Sequence, residues 1–157
     1  MTQSLENLTQ ALLEHAIKAG ADAADAIAVR GTSTTIDVRG GALEQAERSE
    51  GVDIGLRVMI GQRQANVSSS DVKPETMAIM AERAIAMARE APNDPNIGLA
   101  APDDLAKSWN IDALELDDPC QEPAPTELEA SARAAEASAL PNAAVSQVQS
   151  ASASYGR

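Results

Sequence analysis

The chain of 157 residues contains no Phe, one Trp, one Tyr, one His and one Cys. With a single His and a single Cys, the usual nucleophilic and metal constellations cannot be assembled from those residue types alone. With one Cys there is no intrachain disulfide, which fits a reducing compartment. No apolar run of the roughly 18 residues that a membrane helix needs occurs, and no N-terminal apolar stretch precedes a cleavage-like site. Cations are scarce too: 12 Lys and Arg stand against 24 Asp and Glu, a formal net charge of −12. Such a chain is repelled by phosphate backbones and by anionic membranes, so neither nucleic acid nor membrane is an expected partner. The expected compartment is the cytoplasm.

What is present is aliphatic. Hydrophobic residues make up 44% of the chain, much of it Ala. Ala buries little area, so the core must be thin and carried by Leu, Ile, Val and Met. The first element is expected to be a helix over 4–19. Leu5, Leu8, Leu12, Leu13 and Ile17 recur at helical spacing, Ser4 can cap the start, and Gly20 can end it.

Next comes a β-meander. The stretch 22–30 becomes strand-like at Ile27 and Val29, and Thr34, Ile36 and Val38 alternate with polar residues. Gly40-Gly41 is a hairpin signal, and 43–49 is a polar return strand. The clearest strand puts Val52, Ile54, Leu56, Val58 and Ile60 on one face and Asp53, Gly55, Arg57 and Met59 on the other. Gly61-Gln62 suits a type II′ turn into a strand over 63–69, with Ala65 and Val67 inward.

Pro74 then opens a second helix, where its missing N–H costs nothing. Met77, Met80, Ala81, Ala84, Ile85 and Ala88 form its apolar stripe, and Ala91-Pro92 ends it. The order predicts an α+β fold: an antiparallel meander with helices on one face.

From Pro92 to Pro125 the chain is acidic and punctuated by proline, which reads as a linker or wrapping connection. Leu105, Trp109, Ile111, Leu114 and Leu116 are expected to pin it down. Thr126 to Glu129 has the capping-box pattern of a helix running to Ala139, stopped by Pro141. Residues 143–155 read as a polar strand without a mate. The expected organisation is a first domain over 1–91, a connection over 92–125, and the start of a second domain over 126–157.

Few residues carry chemistry. His15 and Cys120 are the only soft ligands, and neither stands in a metal-binding context. Asp22, Asp25, Glu44, Glu47 and Glu50 could pair for acid–base work, but a solvated acidic face explains them better. The glycines do not form a phosphate loop; they punctuate turns, and Gly55 marks a bulge or a close approach. Arg39, Arg48, Arg57 and Arg63 are candidates for a peptide or partner interface, with solvated pairs to nearby carboxylates as the plainer reading. Met77, Met80 and Met87 read as core filler.

Three pieces of wording carry a resemblance: GADAADAIAV at 20–29, VRGGALEQAERSEGVDIGLRVMIGQRQANVSSSD at 38–71, and PETMAIMAERAIAMAREAPNDPNIGLA at 74–100. Together they resemble the N-terminal domain of the TldD/PmbA family, on the PmbA (TldE) side. LELDDP at 114–119 and TELEASARAAEASAL at 126–140 resemble its passage into a middle domain. The resemblance implies a cytoplasmic metallopeptidase complex of TldD and TldE subunits that acts on unfolded or extended peptides. It implies a zinc site in a downstream HExxxH-type helix of the TldD subunit, and none in PmbA-type subunits. The family's proteins are much longer than this chain, which is expected to stop before any metal-site domain. No catalytic residue carries over to a number here, and this stretch alone is expected to be inactive. The partner is expected to be a TldD-like subunit or a second copy. The rival expectation, from the older family name of gyrase modulator, is a non-enzymatic acidic module that docks on a partner and regulates it.

Overall fold

The computed structural model describes residues 4–108, 110–116 and 118–157. Helix α1 spans Leu5–Ala19, strand β1 Ala23–Arg39, β2 Ala42–Ile60, β3 Arg63–Ser69, helix α2 Pro74–Glu90, helix α3 Pro125–Ala139 and strand β4 Ala151–Gly156. The strands make one four-stranded antiparallel sheet in the order β3-β2-β1-β4. The fold is α+β, as the periodicities predict.

Both hairpin turns use glycine where φ must be positive. Gly40 and Gly41 lie at φ +58° and +71°, the type I′ pattern that matches strand twist, and Gly61 lies at +55°. α1 starts on the Ser4 side chain, which accepts from the Asn7 N–H at 3.2 Å. It closes in a Schellman motif: the Gly20 N–H reaches the Ile17 carbonyl at 3.0 Å, and the Ala21 N–H reaches Ala16 at 3.1 Å.

The chain divides into two compact units. The first comprises Met1–Arg30 and Gly51–Trp109; the second comprises Gly31–Glu50 and Asn110–Arg157. β1 and β2 each contribute one part to either unit.

In the first unit, Leu8, Leu12 and Ala16 of α1 and Met77, Met80, Ala81, Ala84, Ile85 and Ala88 of α2 are buried with Ile54, Leu56, Val58 and Ala65 of the sheet. Ala24, Ala26 and Ala28 of β1 pack against this cluster. β1 is therefore a full strand from Ala23, and its small residues face the helices. Ile27 and Val29, the larger apolar residues of this stretch, are exposed. Alternation reads a face correctly only where one parity is plainly apolar, and in 23–30 both are. Three further residues depart from expectation: Met59 is buried on the face opposite the main stripe, while Ile17 and Met87 are exposed.

In the second unit, Ile36, Val38, Leu128 and Ala132 form a small core, with Ala153 and Tyr155 against it. The strand expected to lack a mate has one: residues 151–156 pair antiparallel with 33–38, from Val38↔Ala151 to Ser33↔Gly156. The pairing joins residues more than a hundred positions apart, which no local pattern encodes. α3 starts at Pro125, one residue before the expected cap. Its Glu127 side chain accepts from the Ala124 N–H at 2.7 Å, so the reciprocal half of a capping box is present two residues before the expected Thr126–Glu129 pair.

The apolar residues of the connection do not pin it. Leu105, Ile111, Leu114 and Leu116 are exposed; Trp109 lies outside the described residues. Residues 110–116 are held by their own turn instead. The Asn110 side chain accepts from the Ala113 N–H at 3.0 Å, and the Asn110 carbonyl accepts from Leu114 at 3.1 Å. Without regular periodicity these side chains share no face to bury.

Candidate functional site

The first unit carries an open groove of about 540 Å³. It is lined by Asp25 and Ile27 of β1, Gly55 and Arg57 of β2, and Asn66 and Ser68 of β3, among others. Strand register explains the set. Gly55 pairs with Ser68 and Arg57 with Asn66, so these residues stand side by side. Their parity is opposite to that of Leu56 and Val67, which pack on the helix side.

Gly55 makes the floor. A β-carbon there would stand 2.9 Å from Cγ2 of Ile27, so Ile27 lies directly on the glycine backbone. The close approach expected at Gly55 is this contact.

Arg57 makes the polar wall. Its Nε donates to both carboxylate oxygens of Asp25, at 3.0 and 3.1 Å, and a terminal nitrogen donates to Oδ2 as well. The Asp25 hydrogen bond raises the Arg57 pKa further above its ordinary value. The pair is partly exposed, so its charges are screened and its stabilising effect is modest. Asp25 is thus engaged as an ion-pair partner. Asp22 is engaged as well, since its Oδ2 accepts from the Gly61 N–H at 2.7 Å and fixes the turn into β3.

The other three arginines do not line this groove. Arg63, in the same unit, donates to Asn93 Oδ1 at 2.9 Å and to the Arg89 carbonyl, tying the start of β3 to the segment after α2. Arg48 and Arg39 belong to the second unit. Arg48 bridges Glu50 at 2.8 Å and Glu122, and reaches the buried Thr34 hydroxyl at 3.2 Å. Glu122, then Glu50, raises its pKa. Arg39 donates to the Gln149 carbonyl at 2.8 Å and pairs with Glu44 at 3.1 Å. All four arginines therefore have protein partners. Spacing alone did not reveal that Asn66 and Ser68 join Arg57; only the β2–β3 register brings them together.

No group of three or more His, Cys, Asp or Glu among the described residues is placed to hold a metal ion. His15 is on α1 of the first unit. Cys120 is in the second, beside Asp118, whose Oδ1 accepts from the Cys120 N–H at 2.9 Å. The Asp118 carboxylate also raises the exposed Cys120 thiol pKa. These residues do not fit a zinc site. No helix among the described residues is long and apolar enough to cross a membrane.

Residues 24–88 match the family described as PmbA/TldA metallopeptidase domain 1. The similarity to this PmbA/TldD domain covers 65 of the chain's 157 residues. The matched stretch runs from β1 through the groove to the buried face of α2. Among curated proteins, none matches the chain in sequence.

Solved structures share the fold well beyond the matched stretch. A protein of Bacteroides thetaiotaomicron named as a modulator of DNA gyrase superposes with a TM-score of 0.73 at 18% identity, over 99% of this chain and 35% of its own. TldE of Thermococcus kodakarensis gives 0.68 at 16% identity, over 94% of this chain and 32% of its own. A Thermotoga maritima protein, also named as a modulator of a DNA gyrase, gives 0.55 at 14% identity, over 98% and 33%. At such identities the likeness is one of fold. The chain spans about a third of the length of these structures.

Proposed function

We propose that this chain is the non-catalytic N-terminal part of a PmbA/TldE-like subunit in a cytoplasmic TldD/TldE zinc metallopeptidase complex that cleaves and matures peptides. The observation that carries the reading is the match of residues 24–88 to the first domain of that family. The fold shared with TldE over nearly the whole chain supports it. In this reading the zinc and the hydrolytic step belong to a TldD-type partner. This chain's residues contribute surface: the groove around Gly55, Arg57, Asn66 and Ser68 offers an apolar floor and fixed polar groups to an extended peptide or to the partner.

The test is to co-express the chain with the TldD-type subunit of the same cell and purify by a tag on this chain. Co-elution, with cleavage of an unfolded peptide that requires the TldD subunit and stops on zinc chelation, is the expected result. Cleavage by this chain alone, or no association with the TldD-type subunit, overturns the proposal. A gyrase supercoiling assay is run in parallel, because two of the similar structures carry the modulator name. Inhibition of gyrase without association with the TldD-type subunit favours the regulatory module.

A further inference from the structure

In the second unit a single carboxylate joins α3 to the tip of the β1–β2 hairpin. Glu136 sits near the C-terminal end of α3 and is 3% exposed. Its Oε1 accepts from the Gly40 N–H at 2.6 Å, and its Oε2 accepts from the Gly41 N–H at 2.7 Å. Both donors belong to the type I′ turn, where two successive residues of positive φ point their amides the same way. Such an amide pair is an anion-binding concavity. Glu136 is its occupant.

The arrangement depends on charge as well as shape. An ionised carboxylate has only acceptors to offer, and it meets two donors, one on each oxygen. An amide of the same size would place an NH2 group against one of the two N–H donors. One helical turn earlier, Arg133 donates to the Gly41 carbonyl and also pairs with Glu129 at 2.6 Å. The turn is thus gripped through both amides and through one carbonyl. By contrast, the apolar contact between α3 and β1 is small, formed by Ile36, Val38, Leu128 and Ala132.

We propose that Glu136 is a charge-dependent latch: its carboxylate holds the hairpin tip on α3, and without that charge the tip opens locally while the β1–β4 pairing persists. Glu136 is a positioning residue, acting through the Gly40-Gly41 turn.

The experiment is amide hydrogen exchange on the full chain, comparing wild type with Glu136→Gln and Glu136→Leu. The Gly40 and Gly41 amides are expected to exchange at least tenfold faster in both variants. The Ile36 and Ala153 region of the β1–β4 ladder and the buried face of α2 should keep their wild-type protection. Unchanged exchange at Gly40 and Gly41 overturns the proposal. So does protection retained in Glu136→Leu but lost in Glu136→Gln, since the contact would then be packing. Loss of protection across the whole second unit together also overturns it, because the tip would then have no separate opening.

Discussion

Cγ2 of Ile27 occupies the space above Gly55 at 2.9 Å from the point where a β-carbon would stand. The two residues lie on neighbouring strands, and the bare glycine backbone lets the branched side chain lie flat. Gly55→Ala should therefore destabilise by about 1–3 kcal/mol through overpacking, because Ile is stiff at χ1 and cannot swing its branch aside freely. Ile27→Ala made in the same chain should recover most of that loss. Denaturant melts of the two single variants and the double variant measure the coupling; simple additivity would refute it.

The methionines of α2 separate by burial. Met77 is 1% exposed and Met87 46%. Met77→Ala should cost about 2–5 kcal/mol through lost transfer energy and a cavity. Met87→Ala should stay within about 0.5 kcal/mol, as surface changes do. Equal losses in thermal or urea unfolding would contradict the packing described.

Asp71 stands just before α2. The Thr76 hydroxyl donates to its carboxylate at 2.9 Å, and the Lys73 N–H does so at 3.1 Å. Those hydrogen bonds, that of Thr76 first, hold its pKa below the ordinary carboxylate value. A depressed carboxylate contributes stability that is fully present above its unfolded value of about 3.9 and is lost as the pH falls through the folded value. Asp71→Asn should be less stable than wild type at neutral pH, and its melting temperature should fall less steeply below about pH 4. Parallel acid limbs would remove Asp71 from that role.

Cys120 is exposed, yet Asp118 keeps its thiol protonated to a higher pH than usual. Alkylation by iodoacetamide near neutral pH should be slower than for a free thiol, and Asp118→Asn should speed it, because the thiolate is the reacting species. A rate that is unchanged in Asp118→Asn would show that the carboxylate does not act on the sulfur.

The elements with strong local signals were legible from the residues. α1 has Ser4 before it and Gly20 after it; α2 has Pro74 at its start and a stripe from Met77 to Ala88; β2 has its run from Val52 to Ile60. In each, the burial pattern and the punctuation residues agree. The register of the 23–30 stretch was not legible, because Ile27 and Val29 are the larger apolar residues while Ala24, Ala26 and Ala28 take the helix face. The mate of β4 was not legible either, since Ala151 to Gly156 carry no mark that points back to Ser33 through Val38. The groove was half legible. Arg57 opposite the apolar stripe was readable, but its pairing with Asp25 and its neighbours Asn66 and Ser68 depend on strand order.

Each half of the hairpin tip's anchorage lies far along the chain from the other: Gly41 and Glu136 are 95 residues apart. A ribosome adding about 5–20 residues per second takes about 5–20 s to bridge that gap. For most of that interval Ile36 and Val38 are already made while Leu128 and Ala132, which cover them in the finished second unit, do not yet exist. The strands and helices of the first unit are all made by Glu90, before any residue of α3 or β4. Until β4 is made, residues 33–38 of β1 lack the strand they pair with, and an unpaired strand edge is where pairing between neighbouring chains begins.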